Sequence, residues 1–63
     1  MAPPFLGRLL DQSAHGLRIR HSRLTLACGD KVEFELEGRS GAAQAVWNRI
    51  VGQEAETGFA VIG

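Results

Sequence analysis

The stretch Lys31-Val32-Glu33-Phe34-Glu35-Leu36-Glu37 alternates charged and apolar residues without a break. Successive side chains of a β-strand point to opposite faces, so this spacing sets Val32, Phe34 and Leu36 on one face and Lys31, Glu33, Glu35 and Glu37 on the other. A helix would scatter the same three apolar residues around its circumference. One packed face and one wet face is the pattern of an antiparallel sheet covered on a single side. The chain has 63 residues, and a domain that short buries only about 60% of the surface its unfolded chain exposes. It is therefore one domain, and the sheet that this strand belongs to must supply most of the core. Hydrophobic residues, at 44%, suffice for one such core.

Leu17-Arg18-Ile19-Arg20 repeats the alternation, with Leu17 and Ile19 inward and both arginines outward. Upstream, Met1 to Pro4 reads as an extended leader, because proline lacks an N–H and disfavours helix in the residue before it. Residues 5–63 then form the single domain. Phe5 to Leu10 reads as a strand that feeds the polar turn Asp11-Gln12-Ser13-Ala14-His15-Gly16. In that turn Asp11 and Ser13 present side-chain oxygens, and Gly16 is free to take backbone angles closed to other residues. Such oxygens also cap tight turns with no ligand present.

His21-Ser22-Arg23 interrupts the second strand, and Leu24-Thr25-Leu26 either resumes it or crosses irregularly. Gly29-Asp30 and residues 37–41 mark turns. Residues 42–56 are ambiguous. Ala43, Val46, Trp47, Ile50 and Val51 fit helical spacing, which local propensity slightly favours. Alternatively Ala43, Ala45 and Trp47 line the inner face of a strand. Residues 52–58 look like a hairpin connection, and Phe59-Ala60-Val61-Ile62 like a short closing strand.

Net charge is zero but unevenly spread. Residues 1–31 carry Arg8, Arg18, Arg20, Arg23 and Lys31 against Asp11 and Asp30, a net +3; residues 32–63 carry a net −3. The balanced total argues against binding a nucleic-acid polymer, while the basic half can receive a small anion. No apolar run approaches the roughly 20 residues of a membrane span, and no signal-peptide pattern opens the chain, so a cytoplasmic location is expected. Cys28 alone supports neither an internal disulfide nor a metal cluster, and reads as a half-buried strand-end residue. His15 and His21 have no metal-ligand spacing and read as exposed turn residues. Trp47 reads as core. The chain shows no nucleophile–base arrangement and no paired carboxylates in a plausible pocket, so it is not expected to be an enzyme.

From Asp11 onward the spacing resembles the PilZ domain, a small β-barrel family of bacterial receptors for cyclic di-GMP. The family's Asp/Asn-x-Ser-x-x-Gly motif stands here as Asp11, Ser13 and Gly16. A Leu-x-Ile strand follows at Leu17 and Ile19, then Gly29-Asp30-x-Val32 with Phe34 and Leu36. Ala-x-Ala-Val-Trp occupies residues 43–47 and Gly-Phe-Ala-Val residues 58–61. The resemblance spans residues 7–62. It implies an all-β fold, a small antiparallel barrel of about five strands with no long helix, and makes residues 42–51 a strand against their local propensity.

The resemblance also implies a regulatory module with cyclic di-GMP as its ligand, no other cofactor, and Asp11, Ser13 and Gly16 at the site. Members that bind this ligand carry an Arg-x-x-x-Arg motif before the first strand. That motif is absent here, since Arg8 is the only arginine before Asp11. Arg8, Arg18 and Arg20 are the candidates to replace it in part. The family's first barrel strand also has no counterpart in the pattern, which would leave an edge open to a protein partner or a second copy of the chain. Two functions follow: weak or partner-dependent cyclic di-GMP sensing, or a nucleotide-independent adaptor or homodimer.

Overall fold

The computed structural model describes residues 6–36 and 38–62. The leader at Met1 to Pro4, Phe5 and the turn position Glu37 lie outside the described residues. Five strands form: β1 Gly7–Gln12, β2 Gly16–His21, β3 Lys31–Leu36, β4 Arg39–Val51 and β5 Glu54–Val61. They make one antiparallel sheet in the order β1-β2-β5-β4-β3. The fold is all-β, with no helix among the described residues and so none long and apolar enough to cross a membrane.

The sheet curls into a half-barrel that stays open, because β1 and β3 do not pair. Neighbouring strands alternate in direction. In a row of five the two outer strands therefore run the same way, and no antiparallel ladder can join them.

The alternation at β3 is read out as expected: Val32, Phe34 and Leu36 are half-buried between exposed Lys31, Glu33 and Glu35. Leu17, Ala43, Ala45 and Phe59 form the buried centre, with Leu9, Ile19, Leu26, Val32, Phe34, Leu36 and Val61 packed around it. Residues 39–51 are strand despite their helical spacing, because β3 pairs with residues 39–44 on one edge of β4 and β5 with residues 43–51 on the other. Local propensity yields to those ladders.

The hairpin connection expected over residues 52–58 shrinks to Gly52-Gln53, with Gly52 at φ 63°. A positive φ of that size suits glycine. β5 therefore begins at Glu54 and carries Ala55, Thr57 and Phe59 inward.

Because β2 and β3 are not neighbours, residues 22–30 must cross two strands. Leu26 packs on the core, and Gly29 N–H and Asp30 C=O pair with Ala45 at 2.7 and 2.8 Å. Cys28 lies exposed in this crossing rather than half-buried at a strand end.

Two bulges interrupt the ladders, one between Leu9 and Asp11 and one between Ala45 and Trp47. Each adds one residue to one strand, bends it and reverses the side on which later residues emerge.

Candidate functional site

Directly opposed residues share a face of a sheet, so the register defines two rows on the outer side. One runs Arg8, Arg20, Glu56, Arg49 across β1, β2, β5 and β4. The next runs Asp11, Arg18, Gly58, Trp47 across the same strands. These eight positions carry four guanidinium groups against two carboxylates.

The first row is largely engaged. Glu56 is buried, and its two oxygens accept from Arg20 at 2.6 Å and Arg49 at 3.1 Å. The Arg20 hydrogen bond, followed by the charge of Arg49, outweighs burial and holds the Glu56 carboxyl below the usual range. Residue 56 reads as connection in the sequence but is the charged centre of this face. The period-2 sequence Ala55-Glu56-Thr57-Gly58-Phe59 was the signal that could have located it.

Of the six residues expected at a ligand site, three stand open. Arg8, Asp11 and Arg18 are exposed, and none has a hydrogen-bond or ion-pair partner among the described residues. Asp11 belongs to the end of β1 rather than to the turn, and the bulge before it turns it onto the outer face beside Arg18.

The other three have contacts within the chain, Ser13 while remaining exposed. Arg20 is tied to Glu56. Ser13 Oγ accepts a long hydrogen bond from His15 N–H, 3.4 Å, inside the turn. Gly16 lies in β2 without a positive φ; a Cβ there would press on the Phe59 carbonyl at 3.3 Å. Its glycine thus answers close packing rather than unusual backbone angles.

Arg39, which sequence reading did not single out, reaches from the start of β4 to the β1–β2 turn. Its Nη1 donates to Ser13 O at 3.1 Å and Gln12 Oε1 at 3.3 Å, and its Nη2 to Ala14 O at 3.1 Å. The guanidinium carbon stands 5.7 Å from the Phe34 ring centroid. This one side chain ties the β3–β4 end of the open sheet to the β1–β2 end.

The inner side carries a second polar cluster. His21 is 2% exposed, against the expectation of an exposed turn residue. β2 continues through it, and its register opposite Ala55 turns the ring inward. Nδ1 accepts from Arg23 N–H at 3.0 Å, which places the imidazole proton on Nε2, 2.7 Å from Thr57 Oγ1. The Thr57 hydroxyl donates to Asn48 Oδ1, and Asn48 Nδ2 donates to Leu26 O at 3.0 Å. The chain of bonds fastens the crossing to the sheet. Burial, and then the charge of Arg23, lower the His21 pKa against the opposing pull of Glu54.

Trp47 departs most from expectation. In an unbroken strand it would join Ala43 and Ala45 in the core. The extra residue of the second bulge puts it opposite Gly58, on the outer face and 40% exposed. Its ring lies against Gly58, where any Cβ would overlap indole Nε1, Cε2 and Cδ1.

Among the described residues no group of three or more His, Cys, Asp or Glu side chains is arranged to hold a metal ion. A shallow depression of about 230 Å³ touches Arg8, Arg20, His21 and Glu54. No family model, no curated protein and no solved structure matches the chain.

Proposed function

We propose that this chain is a non-catalytic, cytoplasmic regulatory module of PilZ type that takes cyclic di-GMP on the outer face of β1, β2, β5 and β4. One observation carries the reading: Arg8, Asp11 and Arg18 stand exposed at neighbouring registers without partners among the described residues, while Arg20 beside them is held by Glu56. A guanidinium fork matches a phosphate with two hydrogen bonds. A carboxylate accepts from the N1–H and N2–H donors of guanine.

Arg8 and Arg18 thus offer from the sheet part of what an Arg-x-x-x-Arg motif offers in family members that bind the ligand. Each charge-assisted contact forgone is worth about 1.5–3 kcal/mol, so the affinity is weak. Isothermal titration with cyclic di-GMP tests the reading. Micromolar binding that disappears in Asp11→Ala supports it; absence of heat at millimolar ligand ends it for this domain.

A second reading rests on a different observation. β1 and β3 both lie at open edges of the sheet, and an edge strand offers unpaired backbone groups to a strand of another chain. An adaptor or a homodimer would use either edge. Light scattering decides: a dimer mass at high concentration supports the idea, and a folded, strictly monomeric species counts against it.

A further inference from the structure

Trp47 is a large apolar side chain on the wet side of a small sheet, and three observations bear on what it does there. The bulge at Val46 puts it opposite Gly58 instead of in the core. Gly58 carries no Cβ, so the indole lies directly on the backbone of β5. The side chain nevertheless stays 40% exposed, with one side against the strand and the remainder open to solvent.

The next residue along the same row is Arg18, opposite Gly58 on β2, and then Asp11 on β1. Strand spacing of about 4.8 Å puts a cation one strand from the indole's resting place and a carboxylate two strands from it. Arg8 lies in the adjacent row. A flat aromatic surface beside guanidinium groups that have no partner among the described residues is complementary to a planar base joined to a phosphate. The excess of guanidinium over carboxylate groups in the two rows agrees in sign.

We infer that Trp47, seated on Gly58, is the stacking platform for a purine base of the nucleotide whose phosphate meets Arg18 and Arg8. The inference rests on the nucleotide reading above and adds a residue and a specificity to it. An anion without a base gains nothing from Trp47, whereas a purine nucleotide does. Stacking on an aromatic side chain is worth a factor of roughly 5 to 150 in affinity.

The chain has one tryptophan and no tyrosine, so its emission reports this ring alone. Titration with cyclic di-GMP is followed by emission and by calorimetry, with inorganic pyrophosphate as the baseless control. The expected result is quenching that saturates with the calorimetric isotherm, no quenching by pyrophosphate, and a dissociation constant weakened roughly 5- to 150-fold in Trp47→Ala. Gly58→Ala, which must lift the ring, should shift the emission of the free protein and weaken binding in the same direction. Heat of binding with flat emission, and an unchanged affinity in Trp47→Ala, would overturn the platform and leave the nucleotide reading standing. Absence of heat for the unaltered protein at millimolar ligand would overturn both. The emission of the unaltered protein decides the matter even if a variant fails to fold.

Discussion

Two polar clusters lie on opposite faces of one sheet, the inner on β2, β5 and β4 and the outer on β1 and β2. On the inner side His21, Thr57 and Asn48 form a chain in which each link meets the next, ending on the Leu26 carbonyl. On the outer side Arg8, Asp11 and Arg18 stand in water with no protein partner among the described residues. The two clusters share β2 and are both built of polar side chains. The difference is solvation. A polar group buried without a partner costs about 1–3 kcal/mol, so inner groups must be matched within the chain. Outer groups are matched by water and stay available to a ligand. The inner cluster therefore serves stability, and the outer one is open to the ligand we propose.

The sharpest way to break that division is Thr57→Val. It removes the hydroxyl that joins His21 to Asn48 and leaves the buried His21 and the half-buried Asn48 each short of a partner, a loss of about 2–4 kcal/mol. In a domain this small each kcal/mol lowers the melting temperature by roughly 4–8 °C, so thermal circular dichroism should show a large fall. A shift as small as that of a surface substitution would mean the inner chain is not structural.

Arg39→Ala comes next. Removing hydrogen bonds from one exposed guanidinium to the β1–β2 turn should cost about 1 kcal/mol, with faster amide exchange at Ser13, whose N–H bonds to Gly16 O. Unchanged protection at that amide would show that the turn holds itself.

Acidification probes the inner cluster again. His21 has a pKa below the ordinary 6.5 in the folded chain, so the unfolded chain binds the proton first. Stability is then full above about 6.5 and declines as pH falls below it. Glu56, with its pKa lowered from 4.5, adds a second loss as pH falls through its folded value. A urea midpoint that does not fall between pH 8 and pH 5 would contradict the neutral, bonded imidazole.

Arg18→Ala should have the smallest effect on folding, within about 0.5 kcal/mol. It should nonetheless weaken cyclic di-GMP binding by about tenfold or more, as expected for a lost charge-assisted hydrogen bond. A variant that destabilises the fold would place Arg18 with the inner cluster instead.

Much of this architecture is legible in the residues themselves. The alternations at 17–20 and 31–36 and the glycines at 29, 38 and 52 mark strands and turns where the structure has them. Residues 42–51 were readable as strand only through the likeness of their order to a known domain, since their own spacing fits a helix as well. The outward positions of Arg8 and Arg18 agree with simple alternation, while Asp11 reaches the same face through the bulge before it. Trp47, His21 and Glu56 do not stand where the sequence reading places them. A bulge turns the first onto the wet face, while strand continuation and an early start to β5 bring the other two into buried positions.

Period-2 patterning alone determined that this chain makes a small sheet covered on one side, because the two faces of a strand are written in alternate residues. Which polar groups hold the fold and which remain open was decided only in three dimensions. Arg20 meets Glu56, and His21 meets Thr57, across 36 residues of chain, a pairing that strand order sets and no local pattern contains. A single inserted residue in a strand reverses every face after it, so the side on which Trp47 emerges depends on how β4 pairs with β5.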